Sequence, residues 1–341
     1  MAPYRTAPAT QVAIPSTSKS IEEQTRNGTT ATAAAALAEV PEDVLAALQQ
    51  EHIKIKNPER ALSKIAKMIA GGADELLVIS DFDHTMSRAY CEAGERCWAT
   101  FGVFEHAERS GCKLGDLGAK LKKLLAHYLP IEFDGNMTIE EKIPHMEEWW
   151  RLSHEAIVES GVERAVLEQL VLHSNIRLRD NAASLLAHLE SAGVPLVMFS
   201  AGVGDVISIF LAQRLGAVPS NMHLISNMMT YDDKNAVCGF RDPLIHTFNK
   251  NGTVISKAEE HFYEQMRARD NVILMGDSMG DLHMDVGVEN HSEADTLKIA
   301  FLNKKDHLLP YYLDGYDIVI VDDQSMDVSR KIMDAITAVR K

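Results

Sequence analysis

The sequence lacks any run of about 18 consecutive apolar residues, so we expect no membrane span. Cysteine is also scarce. The four cysteines form no CxxC pair, which favours reduced thiols in a cytoplasmic protein over a disulfide framework. A zinc site built from Cys91, Cys97 and a distant histidine is the alternative use of these residues. The complete set is Cys91, Cys97, Cys112 and Cys238.

Positive charge is in short supply. The 341 residues include 34 Lys and Arg against 49 Asp and Glu, which gives a formal net charge of −15. We expect no nucleic-acid partner, because no broad basic surface would neutralise its phosphates. A small phosphorylated substrate stays open, since it needs only a few local cations or a metal. The length and the hydrophobic share of 46% predict one large or two modest globular domains.

Residues 1–45 differ in composition from the rest of the chain, and we predict that they form a disordered tail. They are rich in Ala, Thr, Ser and Pro and contain no strong apolar segment of the signal-peptide type. An organellar transit peptide is the alternative, because Arg5, Lys19 and Arg26 are scattered among hydroxylated residues.

Apolar runs alternate with helix-like segments along the remaining chain. The run Leu76–Ile79 is unbroken, which is typical of a strand buried on both faces of a parallel sheet, and we predict a strand at Leu76–Ser80. We predict further strands at 195–200, 222–226, 271–277, 298–302 and 317–321. Strands that alternate with helices predict an α/β fold with a Rossmann-like parallel sheet.

The first two predicted strands are separated by roughly a hundred residues of mainly helical pattern. A crossover between parallel strands needs only about a dozen. We therefore interpret residues 91–174 as an inserted helical cap domain, and residues 46–90 and 175–341 as the α/β core. A cap over the carboxyl edge of the sheet would contribute substrate selectivity and exclude water.

Polar residues follow three of the predicted strands. Asp81 and Asp83 follow the first, Ser200 ends the second, and Asp277 and Asp281 follow a later one. The carboxyl ends of parallel strands share one edge of the sheet, and ligands bind there. Acids that converge at this edge repel one another unless a cation lies among them. Oxygen ligands together with a phosphate group favour Mg²⁺ as that cation.

The segment DFDHT resembles the DxDxT signature of the haloacid dehalogenase-like phosphatase superfamily. Ser200, a lysine and the acids of GDSMGD follow in the order of that superfamily's other motifs. From about residue 51 to the carboxyl terminus, the chain is similar to the cytosolic 5′-nucleotidase type III, or pyrimidine 5′-nucleotidase, family. The stretches that carry this resemblance are DFDHTMSR, LPIEFD, TIEEKIPHMEEWW, FSAGVGDV, GFRDPLIHTFNK and GDSMGDLHM.

The resemblance implies a haloacid dehalogenase-like core and a role for each acid. Asp81 is the expected nucleophile, which forms an aspartyl-phosphate. Asp83 is expected to protonate the leaving nucleoside oxygen and then to take a proton from the attacking water. Asp81, Asp83 and Asp277 are the expected magnesium ligands. Asp281 is expected to hold a metal-bound water or the lysine.

The phosphate group also needs donors. Ser200 and the amide of Ala201 are expected to bind phosphoryl oxygens, and a lysine supplies fixed positive charge to the transition state. Lys250, which closes HTFNK, matches the position of that lysine in the family. Lys257, seven residues later, is the alternative.

The predicted cap contains two residues that match substrate contacts of the family. Glu132 in LPIEFD is expected to contact the nucleobase, and Ser153 a second part of the substrate; a surface glutamate and a helix-face serine are the alternatives. The chain departs from the family pattern at His84 and Ala89, which leaves the preferred base open. Trp98 is one candidate for stacking on the base.

The sequence thus predicts a cytoplasmic, magnesium-dependent 5′-nucleotidase, monomeric, that acts on nucleoside monophosphates such as UMP, CMP or 7-methyl-GMP. Another capped phosphatase of the superfamily, for example one that acts on phosphoserine, is the first alternative. A nucleoside phosphotransferase activity is implied as a side reaction. A non-catalytic nucleotide-binding protein is disfavoured because both acids of DFDHT are present.

Overall fold

The computed structural model describes residues 39–251, 266, 268–286 and 295–338. Residues 1–38 of the predicted tail lie outside the described residues. Among the described helices, none combines the length and the apolar character that a membrane crossing requires. All four cysteines are described, and each is a free thiol.

Two sheets occur in the described part of the chain. The strands are β1 (Ile53–Lys54), β2 (Leu76–Ser80), β3 (Leu196–Val203), β4 (Met222–Asn227), β5 (Met229–Tyr231), β6 (Val237–Phe240), β7 (Asn271–Gly276), β8 (Thr296–Leu302) and β9 (Ile318–Val321). Seven of them form one sheet in the order β1-β9-β8-β7-β2-β3-β4, in which only β1 pairs antiparallel. The predicted α/β fold with a parallel sheet is confirmed.

The central strand β2 is covered on both faces. Leu76 and Val78 belong to one apolar cluster, and Leu77 and Ile79 belong to another. Alternate side chains of a strand point to opposite faces of a sheet. The unbroken apolar run therefore follows from two buried faces, as the sequence predicts.

Helices surround the sheet, and the local sequence sets where they begin. The described helices are α1 (Glu42–Leu48), α2 (Pro58–Gly71), α3 (Gly102–Glu105), α4 (Leu117–Glu132), α5 (Ile139–Glu159), α6 (Arg164–Leu172), α7 (Ala182–Ser191), α8 (Gly204–Leu215), α9 (Leu309–Gly315) and α10 (Asp327–Thr337). The side chain of Asn57 caps α2, and Pro58 fills its first position. Thr138 and Glu141 form a capping box at α5. The caps therefore set where α2 and α5 begin.

The segment between β2 and β3 contributes the helices α3 to α6 before α7. Residues 91–174 contain no strand of either sheet. The helices α4 and α5 pack against each other, and Tyr128, Met146 and Trp150 form a small apolar cluster there. Residues of this segment face the carboxyl ends of the strands across a cavity. The boundaries of a separate cap domain stay a prediction.

Three short strands lie outside the predicted set. β1 has two residues and pairs with β9 at the edge of the large sheet, while β5 and β6 form an antiparallel hairpin. Each has two to four residues, with one buried position and the others partly or fully exposed. Such short strands leave too little alternation in the sequence to be recognised.

Candidate active site

Parallel pairing gathers polar residues from distant parts of the chain at one edge of the sheet. β2 lies between β3 and β7, and Ser80 is in register with a residue of each neighbour. Asp81 follows Ser80 directly. Ser200 lies near the end of β3, and Asp277 follows β7. The three strand ends therefore meet, as the sequence predicts for a parallel sheet.

A cavity of about 560 Å³ opens at this edge. Its wall includes all nine motif residues singled out in the sequence. They are Asp81, Asp83, Glu132, Ser153, Ser200, Ala201, Lys250, Asp277 and Asp281. The alternative lysine, Lys257, lies outside the described residues. A volume of this size is typical of small-molecule sites.

Asp81, Asp277 and Asp281 form a carboxylate cluster, in which one oxygen of each lies within 4.8 Å of the others. Burial is the main reason that the pKa values of Asp81 and Asp277 are both raised to about 7, and repulsion by neighbouring acids adds to it. A divalent cation would relieve this repulsion, and carboxylate oxygens are the ligands that Mg²⁺ prefers. The residues therefore fit the predicted metal.

Lys250 is buried against this cluster. Its Nζ donates to Oδ1 of Asp81 at 2.5 Å and to Oδ1 of Asp281 at 2.7 Å. Burial disfavours the ammonium, but the charges of Asp281 and Asp81 outweigh it and raise the pKa of Lys250. The other oxygen of Asp281 accepts from the amides of Asp277 and Ser278. Asp281 thus holds both the lysine and the turn that carries Asp277.

The carboxylate of Asp83 lies apart from that cluster and is bonded to Thr100. The backbone N–H of Thr100 donates to Oδ1 at 2.9 Å, and the Thr100 hydroxyl donates to Oδ2 at 2.7 Å. Burial and the charge of Asp81 raise the pKa of Asp83 to about 7, against the effect of these bonds. A carboxyl group with such a pKa can both give and accept a proton near neutral pH.

Residues 200–203, at the end of β3, are fixed by several hydrogen bonds. The Gly202 N–H donates to Oγ of Ser200 at 3.1 Å. The side-chain amide of Asn227 donates to the carbonyls of Ala201 and Gly202. The indole N–H of Trp150 donates to the Ala201 carbonyl at 2.6 Å. These bonds fix the backbone that places Ser200 and the Ala201 amide at the cavity.

The adjacent tryptophans have different surroundings. Trp150 is buried and packs in the apolar cluster with Tyr128 and Met146. Trp149 stacks on Tyr128, with ring centroids 5.8 Å apart. Trp98 lines the cavity and stacks on His106 at 4.6 Å. Both Trp98 and Trp149 have a place in the cavity wall, so the cavity offers more than one aromatic surface.

Glu132 is the last residue of α4, and it lines the cavity. Its Oε1 accepts from the Thr247 hydroxyl at 2.8 Å. Burial is the main cause that raises the pKa of Glu132, and the Thr247 bond opposes it. Ser153 on α5 is buried and lines the same cavity. A carboxylate in this position can accept from an exocyclic amine or a ring N–H.

The turn after Asp81 has a left-handed residue at its centre. His84 has φ 64° and ψ 6°. Its carbonyl accepts from the Arg179 guanidinium at 2.7 Å and from the Asn303 side chain at 3.2 Å. Arg179 also donates to the Thr85 carbonyl. These bonds stabilise a backbone conformation that residues with a Cβ rarely adopt.

Sequence reasoning missed several residues that hold the site. Thr100, Thr247, Arg179 and Asn227 act through hydrogen bonds to residues far away in the sequence. A single threonine or asparagine has no local pattern that distinguishes it from a surface residue, and this holds even for Thr247, which lies within GFRDPLIHTFNK. Arg179 lies between Leu178 and Asp180 and carries no such signal either.

Known proteins resemble this chain over most of its length. The family model described as pyrimidine 5′-nucleotidase (UMPH-1) matches residues 84–337. A putative cytosolic 5′-nucleotidase 3 of Caenorhabditis elegans is 45% identical over 85% of this chain and 77% of its own length. A 7-methylguanosine phosphate-specific 5′-nucleotidase of Gallus gallus is 40% identical over 84% of this chain and 96% of its own.

A solved structure shares the same architecture. The crystal structure of cytosolic 5′-nucleotidase IIIB bound to cytidine matches with a TM-score of 0.77 and 33% identity. The match covers 86% of this chain and 96% of that one. Sequence and structure comparisons therefore agree with the resemblance inferred from the motifs.

Proposed function

Because the chain belongs to the pyrimidine 5′-nucleotidase (UMPH-1) family, we propose that it hydrolyses nucleoside 5′-monophosphates to nucleoside and phosphate, with magnesium and through an aspartyl-phosphate. The names of two relatives, both 5′-nucleotidases, support this reaction. The name of one also includes the word cytosolic, and we propose the cytoplasm as the location of this chain.

Asp81 and Asp277 would hold the magnesium ion through carboxylate oxygens, with Asp281 close by. Asp83 is the further ligand expected from the sequence, and both oxygens of its carboxylate are bonded to Thr100. A bound magnesium ion would neutralise part of the charge on the phosphate and orient it for attack.

The first step transfers the phosphoryl group to the protein. A carboxylate oxygen of Asp81 attacks phosphorus, and the bond to the nucleoside 5′-oxygen breaks. Asp83 gives its proton to that oxygen, which would otherwise leave as a strongly basic alkoxide. The Ser200 hydroxyl, the Ala201 amide and the Lys250 ammonium stabilise the charge that develops on the phosphoryl oxygens.

The second step returns the protein to its starting state. Asp83, now ionised, takes a proton from water, and the water oxygen attacks the phosphorus of the aspartyl-phosphate. Orthophosphate leaves and the Asp81 carboxylate is restored. Lys250 lies 2.5 Å from Asp81 and stays in place to stabilise both steps.

The nucleobase would lie against the wall formed by the predicted cap. Glu132 and Ser153 line the same cavity as the acids, so one molecule that bridges phosphate and base would contact both groups. The names of the relatives point to cytidine in one case and to 7-methylguanosine phosphate in the other. We propose a pyrimidine or 7-methylguanine nucleotide as the substrate.

The observation that carries this proposal is the cluster of Asp81, Asp277 and Asp281 with Lys250 bonded inside it. The test is steady-state hydrolysis of CMP, UMP, GMP and 7-methyl-GMP, with Mg²⁺ and with EDTA. We expect phosphate release from at least one of CMP, UMP and 7-methyl-GMP, loss of the activity in EDTA and its return with excess Mg²⁺. Phosphoserine serves as the comparison substrate, and a preference for it over every nucleotide would contradict the proposal.

A further inference from the structure

Thr100 is fully buried in the segment between β2 and α3, and no motif in the sequence contains it. Both of its donors point at Asp83. Its N–H lies 2.9 Å from Oδ1 and its hydroxyl 2.7 Å from Oδ2. A single residue therefore contacts both oxygens, and so fixes the plane of the carboxylate as well as its position.

Thr100 is also hydrogen-bonded to the end of β3, the strand that contains Ser200. The Val203 N–H donates to Oγ1 of Thr100 at 3.1 Å. Because this bond occupies one lone pair of the hydroxyl, the hydroxyl proton stays directed at Asp83. A Cβ at position 202 would lie 2.2 Å from that Oγ1 and 2.7 Å from Oδ2 of Asp83. Gly202 thus leaves the space that this arrangement needs.

We propose that Thr100 is a positioning residue for proton transfer by Asp83, and that it ties the orientation of this carboxylate to residues 200–203 at the end of β3. The inference rests on the proposed function, in which Asp83 gives its proton to the leaving 5′-oxygen as the bond from Asp81 to phosphorus forms. The same carboxylate then takes a proton from the attacking water. Thr100 has no hydrogen bond to the acid cluster or to Lys250, so its loss leaves those groups in place and acts on Asp83 and on the end of β3.

Leaving groups of different basicity separate this role from packing. A nucleoside 5′-oxygen must be protonated as it leaves, whereas p-nitrophenolate leaves without a proton. The measurement is kcat/KM for CMP, or for the nucleotide that the parent hydrolyses best, and for p-nitrophenyl phosphate. This ratio reports events up to the first phosphoryl transfer, so the shared second step does not obscure the comparison.

The variants are Thr100→Val, which keeps the shape and removes the hydroxyl, and Thr100→Ser, which keeps the hydroxyl. We expect Thr100→Val to lower kcat/KM about 10- to 100-fold for the nucleotide and less than about threefold for p-nitrophenyl phosphate. Thr100→Ser is expected to stay within about threefold of the parent on both. The inhibition constant of orthophosphate should change less than kcat/KM for the nucleotide does, because Lys250 keeps its contacts in both variants. Thr100→Ala provides a second variant without the hydroxyl if Thr100→Val gives little folded protein.

Asp83→Asn separates failure of this inference from failure of the proposed function. If Asp83→Asn loses activity selectively on the nucleotide while both hydroxyl-free variants lose it equally on both substrates, or lose none, the inference about Thr100 is wrong. If Asp83→Asn slows both substrates equally, the proton-transfer role of Asp83 is wrong, and the inference falls with it. Selective loss in Asp83→Asn and in a hydroxyl-free variant, with rescue by Thr100→Ser, supports both.

Discussion

At the scale of single residues, Lys250 is bonded to two acids, and its loss leaves both without their cation. We expect Lys250→Met to lower turnover by at least about 100-fold, because the transition state loses a fixed positive charge. The free energy of unfolding should fall by about 3–5 kcal/mol in metal-free buffer, since Asp81 and Asp281 would stay buried without the cation that neutralises them. Turnover and urea denaturation measure the two effects.

Lys257→Met is the matched control for that variant. It removes the same charge seven residues away, and we expect it to retain the activity of the parent. An active Lys250→Met beside an inactive Lys257→Met would overturn the assignment of the lysine.

Gly202 offers a second prediction at this scale. In Gly202→Ala the new Cβ would collide with Thr100 and Asp83, so one of the two must move. We expect kcat/KM for the nucleotide to fall by about 100-fold, and stability by about 1–3 kcal/mol. Gly135→Ala is the control, because a Cβ at position 135 meets no atom within 4 Å. Kinetics and thermal unfolding of both variants test this, and an unimpaired Gly202→Ala would contradict the tight packing.

The residues that could be predicted from the sequence are those with a pattern. Asp81 and Asp277 directly follow apolar strands, and Lys250 lies in a recognisable stretch. Thr100 could not be predicted, because its role depends on hydrogen bonds between residues that are distant in the sequence. It donates two hydrogen bonds to Asp83 and accepts one from Val203. The sequence also does not reveal that the Asp83 carboxylate is bonded to Thr100, because both carboxylates of DFDHT are chemically able to bind a metal.

At the scale of elements, the turn after β2 depends on a left-handed residue, His84. We expect His84→Val to be less stable than His84→Asn by about 1–2 kcal/mol, because β-branched residues tolerate positive φ poorly and asparagine tolerates it well. Both variants lose the imidazole, so that loss cancels in their difference. Denaturant unfolding of the pair measures it, and equal stabilities would show that the turn relaxes to another conformation.

The elements found from the sequence share a physical property. The strands β2, β3, β7, β8 and β9 are apolar enough to be recognised, because a parallel sheet covered on both faces requires it. β1, β5 and β6 form by pairing at an edge and in a hairpin. Their formation depends on neighbours that fold next to them, and no local pattern records this.

At the scale of the whole molecule, the acid cluster links metal binding to stability. We expect Mg²⁺ at about 100 times its dissociation constant to raise the free energy of unfolding by about 2.7 kcal/mol, since the ion binds only the folded arrangement. A thermal-unfolding titration with MgCl₂ measures this without any substrate. In Asp277→Asn, which removes one ligand of the cluster, the shift should be much smaller. A melting temperature of the parent that does not respond to Mg²⁺ would contradict the metal assignment.

The strand order also bears on how the protein is synthesised. The two neighbours of β2 are β3 and β7, and β7 begins only at Asn271. Until the ribosome has synthesised the chain beyond residue 271, β2 has one edge without hydrogen-bond partners. An exposed apolar edge invites pairing with other chains. Truncated chains that end before residue 271 should therefore aggregate unless a chaperone binds them.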